Sequence, residues 1–179
     1  MERRFGAHIE WLPFDLHPEY PAEGIPRGDL HARYGEERMG QTKRMVEECG
    51  YTYNPPAEVV PNSRKALELT ELARDLGIHE PVHTRLMDAY WSEARNIGDE
   101  DTLLSLVAEA GLDRGEAVEA LADGRYLPRI AQSTSEAHAI GINAIPSFVL
   151  DNRLLLVGAY PKEVFERAFA QLAQPEAGT

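Results

Sequence analysis

The stretch Gly141-Ile142-Asn143-Ala144-Ile145-Pro146-Ser147-Phe148-Val149-Leu150-Asp151 decides the fold, because a helix stop, a restrained proline and a buried strand fall within it. Gly141 follows a long helical pattern and suits the left-handed residue just past a helix C-terminus. Ser147 to Leu150 is short, apolar and partly β-branched. With the Asp151-Asn152 turn and the second run Leu154-Leu155-Leu156-Val157, it predicts a β-hairpin. Gly158 and Pro161 close the hairpin. Pro161 stands where a helix tolerates proline, in the first turn, and Val164, Phe165, Ala168, Phe169 and Leu172 recur behind it at helical spacing. A proline before a strand has two readings, a plain strand start or a cis peptide bond. Only about 5–6% of X-Pro bonds in folded proteins are cis, so the local sequence leaves both open.

Upstream, Ile9-Glu10-Trp11-Leu12 with Phe14 has the large apolar residues of a sheet strand, although Pro13 argues against a central position. Pro21 to Gly28 is a loop by its prolines and glycines. Glu36 to Glu48 predicts a mostly solvated helix whose sparse apolar face is Met39, Met45 and Val46. Pro61-Asn62-Ser63 opens the next helix, with Asn62 or Ser63 as its cap and Ala66, Leu67, Leu69, Leu72, Ala73 and Leu76 as its core face up to Gly77. Pro81 starts a helix through Val82, Leu86, Met87, Tyr90 and Trp91. Asp99 caps Thr102 to Ala110, Asp113 and Gly124 bracket Arg114 to Asp123, and Pro128 to Ile140 runs on to Gly141. Residues 19–141 therefore form a helical block. Its helices are not sequence repeats, which excludes a solenoid.

With 179 residues the chain can bury a real core, and 43% hydrophobic residues is ordinary for a globular protein. The 18 basic against 30 acidic residues give a formal charge of −12, which repels nucleic-acid backbones and anionic membranes. No apolar run approaches the ~20 residues of a membrane helix, and Met1-Glu2-Arg3-Arg4-Phe5 has no signal-peptide core behind it. A cytoplasmic location is the expectation. Cys49 is the single cysteine, so the chain can build neither an internal disulfide nor a cysteine-based zinc site. It falls at a helix C-terminus beside Glu47 and Glu48, where a thiolate is disfavoured, and so reads as an inert residue rather than a reactive one. His79 and His83 have the spacing of two metal ligands on one helix face, but Pro81 between them puts His79 ahead of the helix. No metal site is expected. Phosphate loops, nucleophile elbows and distinctive carboxylate pairs are missing as well.

The loop ending in Pro146, the hairpin and the last helix resemble those of thioredoxin-fold proteins, and more closely of the DsbA-like family that includes FrnE. Leu12-Pro13-Phe14-Asp15-Leu16-His17-Pro18-Glu19 resembles that family's second core strand and the turn leaving it, and Pro61-Asn62 its cleft-facing pair. Asn96-Ile97-Gly98-Asp99, Glu109-Ala110-Gly111-Leu112-Asp113 and Ala139-Ile140-Gly141-Ile142 fall in its order and spacing. The resemblance thus runs through essentially the whole chain. It implies an α/β fold, a thioredoxin-like sheet carrying a large all-helical insertion. The thioredoxin-like part would be residues 1–18 and 142–174, the insertion 19–141, and the tail 175–179. It also implies a cis bond at Ile145-Pro146, with Ala144, Ile145 and Pro146 as the shelf whose backbone binds an extended substrate segment.

In that family a first strand and a Cys-x-x-Cys motif precede the position of Ile9, where only eight residues stand here. The expectation is an N-terminally truncated family member in which Met1 to Arg4 is at most the tail of the first helix. The lost strand would lie mid-sheet, so the halves must close up, a partner chain must fill the slot, or the edges stay open. A homodimer or a closed-up sheet is the favoured outcome. Thiol-disulfide exchange needs an attacking and a resolving sulfur, so the chain reads as a FrnE-type oxidoreductase relative unable to carry out dithiol exchange. A second reading is a non-catalytic peptide- or protein-binding module. A third is a glutathione-dependent isomerase or kappa-type transferase, disfavoured because Gly158-Ala159-Tyr160-Pro161 replaces the usual Ser-Asp or Asn-Asp pair. The partner implied is a polypeptide or a small thiol or disulfide, with no catalytic residue and no cofactor in this chain.

Overall fold

Aspartate caps set where two helices of this chain begin, and glycines in the left-handed region follow several helix ends. A computed structural model describes residues 5–173, apart from the side chains of His31, Glu36, Arg38 and Met39. The expectations for Met1 to Arg4, for the tail and for the Met39 side chain fall outside the described residues. The chain divides into two compact units, Met1–Leu16 with Ser133–Thr179, and His17–Gln132.

The second unit contains β1 (Ile25–Pro26), α1 (Arg27–Tyr34), α2 (Glu36–Glu48), β2 (Val59–Val60), α3 (Arg64–Asp75), α4 (His79–Trp91), α5 (Glu100–Glu109), α6 (Arg114–Asp123) and the first turns of α7 (Leu127–Ala139). Asp99 and Asp113 cap α5 and α6, each accepting a backbone N–H at 2.9 Å, from Thr102 and Glu116. Gly124 ends α6 in the left-handed region at φ 60°. At α3 the Asn62 side chain accepts the Arg64 N–H at 2.9 Å, while the Ser63 hydroxyl makes no cap bond. Apolar positions of α3, α4 and α5 then meet in a core where Leu69, Leu103, Leu106, Val82 and Val107 are fully buried. Each such side chain stabilises the fold by about 1.5–3 kcal/mol. Glu71, 1% exposed, lies among them because two arginines answer it. Arg74 Nε donates to it at 3.1 Å and Arg129 Nη1 at 3.3 Å, and Arg129 also pairs with Asp75 at 2.8 Å.

The structure differs from two local expectations. Helix α4 starts at His79, so Pro81 lies inside its first turn rather than at its start; the missing N–H costs nothing where no intrahelical acceptor exists. Pro21 to Gly28 is not all loop, because β1 pairs antiparallel with β2, Ile25 opposite Val60 and Pro26 opposite Val59. Gly24 makes that approach possible: at φ 82° a side chain there would run into the Val60 carbonyl oxygen. A ladder two residues long is too short to leave a period in the sequence.

In the first unit β3 (Ser147–Leu150) and β4 (Leu154–Val157) form an antiparallel hairpin, Ser147 opposite Val157 and Leu150 opposite Leu154. Asp151 and Asn152 both sit at φ 52°, and the Leu150 carbonyl accepts the Arg153 N–H at 3.0 Å. Positive φ at both central residues is what a tight hairpin turn requires, and Asp and Asn tolerate it. Helix α8 (Lys162–Leu172) covers one hairpin face, with Phe165 edge-on to Phe148 at 4.9 Å; Phe169 stacks on Phe5 at 4.4 Å.

The expected strand at Ile9 to Leu12 does not form. Those residues lie outside both ladders, Trp11 52% and Leu12 68% exposed, and among the described residues β3 pairs with β4 alone. The sheet therefore does not close up. A ladder needs a neighbouring backbone about 4.8 Å away; the extended chain after Leu12 is instead fixed to α7, where Ser133 Oγ donates to the Pro13 carbonyl at 2.7 Å and Thr134 Oγ1 accepts the Asp15 N–H at 3.0 Å. Nor is β3 the buried strand its composition suggests, since Val149 is 44% exposed.

Candidate substrate-binding loop

Helix α7 delivers the chain into this loop through a two-bond C-terminal cap. Gly141, at φ 89°, donates its N–H to the His138 carbonyl, and Ile142 donates to the Ala137 carbonyl, both at 3.0 Å. This is the Schellman pairing, and buried Ile142 anchors it. His138 then holds the next bend: its Nδ1 lies 2.9 Å from the Ile142 carbonyl, an acceptor, which assigns the ring proton to Nδ1. Phe14 packs edge-on against the same ring at 5.3 Å.

Ala144, Ile145 and Pro146 follow as one continuous ledge. The Ala144 carbonyl accepts the Ser147 hydroxyl at 2.7 Å, and the Pro146 carbonyl accepts the Gly158 N–H at 2.7 Å, which extends the hairpin contact beyond Ser147. The Ile145–Pro146 peptide bond is cis. Ile145 is 56% exposed, and its backbone N–H and C=O make no hydrogen bond among the described residues. Beyond the ledge, Val149 and Leu155 face each other across the ladder and are exposed, on the side opposite Phe148. Such a surface offers main-chain pairing along an edge and apolar contact beside it, the two things an extended polypeptide uses when it adds to a strand. From Gly141 to Leu150 the sequence holds no titratable side chain, so the loop supplies contacts rather than proton transfer.

Sequence reasoning names the three ledge residues and misses the two that hold them, His138 and Ser147. A basic residue in the last turn before a glycine is the one available signal for the first. Cys49 is exposed and ends α2 in the other unit, with no basic residue in that helix's last turn. His79 and His83 stack at 5.4 Å, but Arg74 Nη2 lies 3.2 Å from His79 Nε2 and, being only a donor, takes that nitrogen's lone pair. Burial lowers the affinity of both imidazoles for a proton, and nearby Arg74 adds to the effect on each. Among the described residues no group of three or more His, Cys, Asp or Glu is placed to hold a metal, and no helix is long and apolar enough to cross a membrane.

Comparison with known proteins gives a consistent result. The family described as "DSBA-like thioredoxin domain" matches residues 1–170. The uncharacterized protein YwbO of Bacillus subtilis (strain 168) is 31% identical over 168 residues, covering 92% of this chain and 82% of that protein. The crystal structure of the probable DsbA oxidoreductase SCO1869 from Streptomyces coelicolor superposes with a TM-score of 0.85 at 25% identity, over 99% of this chain and 81% of that one.

Proposed function

Because the chain belongs to the DsbA-like thioredoxin-domain family, we propose that it is a FrnE-type relative of the thiol-disulfide oxidoreductases that holds an extended polypeptide segment on Ala144, Ile145 and Pro146. The observation that carries this reading is the exposed Ile145, whose main chain makes no hydrogen bond among the described residues, beside an edge of β3 that pairs with no other described strand. A segment laid there gains backbone hydrogen bonds from the ledge and apolar contacts from Ile145 and Val149. In this reading residues 1–18 and 142–174 carry the binding surface and 19–141 is the helical insertion.

With Cys49 alone the 179-residue chain has no resolving sulfur, so it binds its segment without completing dithiol exchange. An insulin-reduction assay with the purified chain should show no robust dithiol-dependent turnover, and sustained turnover would overturn that half of the proposal. The binding half is tested by titrating apolar peptides onto the chain. Ile145→Asp should weaken binding about tenfold, or ~1.4 kcal/mol, without shifting the melting temperature. Equal affinity of the two proteins would remove the ledge from the mechanism. The same edge of β3 supports a second reading in which another copy of the chain occupies it, giving a homodimer in the cytoplasm; sedimentation over a concentration series distinguishes that arrangement from a monomer.

A further inference from the structure

Arg27, the first residue of α1, is only 7% exposed, yet among the described residues no carboxylate pairs with it. Its guanidinium is held by neutral oxygens. Nε donates to the Pro56 carbonyl at 2.9 Å, and Nη2 donates to the Val59 carbonyl at 3.3 Å and the Tyr90 hydroxyl at 3.2 Å. These bonds fix the plane of the group and leave its charge unanswered. Nη1, with two N–H donors, makes no hydrogen bond among the described residues. Tyr90 accepts from Arg27, and among the described residues its own O–H has no acceptor.

Tyr53 completes the surroundings. It is half-buried, its ring centroid 5.7 Å from that of Trp91, and it senses the charge of Arg27. Its loop is pinned to the end of α4: Asn54 N–H donates to the Trp91 carbonyl, Asn54 Nδ2 to the Ser92 carbonyl at 3.4 Å, and Ser92 Oγ to the Thr52 carbonyl at 3.0 Å. Burial raises the Tyr53 hydroxyl above the ordinary phenol range against the opposing pull of Arg27, so it stands as a donor at neutral pH. The donors are therefore preformed. A buried charge is costly unless an opposite charge meets it, and among the described residues only neutral oxygens meet this one.

We propose that Arg27, with the hydroxyl of Tyr90, binds a single carboxylate, such as that of a small acid or a polypeptide chain end. A planar carboxylate places one oxygen on Nη1 and takes the Tyr90 O–H on the other. Charge selects it over phosphate, because a chain at −12 repels a dianion more strongly than a monoanion.

The test is an NMR titration of the 15N-labelled full chain at fixed ionic strength with N-acetylglycine, N-acetylglycinamide and inorganic phosphate, following the Val59 and Tyr90 amides and the Arg27 Nε–H. N-acetylglycine should give saturable shifts, its amide none, and phosphate weaker ones. Tyr90→Phe keeps the ring and removes the donor, and should weaken N-acetylglycine binding about tenfold. Because Arg27 variants lose three internal bonds and can fail to fold, Tyr90→Phe carries the test. Absence of saturable shifts, equal response to acid and amide, or undiminished binding in Tyr90→Phe would overturn the site. Tighter binding of phosphate than of N-acetylglycine would overturn the choice of carboxylate.

Discussion

At the scale of single residues, Thr134 has the clearest structural consequence, since its hydroxyl oxygen accepts the N–H of Asp15, a residue only 9% exposed. Thr134→Val keeps the shape and removes the oxygen that accepts this N–H, a loss of about 1–3 kcal/mol. Urea unfolding should show it as a lowered midpoint with an unchanged slope, and Thr134→Ser should recover most of it; an unaltered midpoint in the valine variant would mean that water replaces the hydroxyl. The turn from Ala144 through Pro146 into β3 was legible because its residues are covalent neighbours. The burial of Arg27 was not legible, because the segment holding Pro56 and Val59 and the helix holding Tyr90 reach it from two distant parts of the chain. His138 falls between these cases: its spacing from Gly141 hints at a helix end, but only the folded bend brings the Ile142 carbonyl within reach of its ring.

Among elements, the packing of α3 against α4 makes the stability of the chain depend on pH. His79 is held below the ordinary imidazole range by burial first and then by the Arg74 charge, with Glu71 opposing; His83 is held there by burial, then by His79 and Arg74. The unfolded chain, whose imidazoles titrate near pH ~6.5, takes up protons that the folded chain refuses. Stability from this pair is therefore intact above about pH 6.5 and is lost as pH falls from there through the folded values. Glu68 acts in the opposite sense, since burial raises its carboxyl and the folded chain protonates it first. The urea midpoint at pH 5.5 should lie below that at pH 7.5, and His83→Gln should narrow the gap; a midpoint independent of pH in this range would contradict the assignment. Helix ends were the most legible elements. Asp99, Asp113, Gly124 and Gly141 act through atoms a few residues away, so the local sequence contains the whole cause. The strand at Ile9 to Leu12 was misread for the converse reason: a ladder depends on a distant neighbour, and apolar composition alone does not supply one.

For the molecule as a whole, the sequence marks where helices stop but not which of them pack together. The two units divide between Gln132 and Ser133, inside α7, where no glycine, proline or change of composition announces a boundary. Likewise the hairpin was legible, and that no further described strand joins it was not, because closure of a sheet belongs to the entire chain. The cap at the end of α7 has one further consequence. Gly141 and Ile142 on one side and Gly158 on the other have their amides engaged, whereas the Ile145 amide between them makes no bond among the described residues. Placed in deuterated water, the ledge should pick up label at Ile145 while its flanks lag, and equal protection at Ile142, Ile145 and Gly158 would contradict this picture. The ledge is in effect a leak between two sealed seams, and the arrival of a polypeptide there would register as the moment that leak shuts.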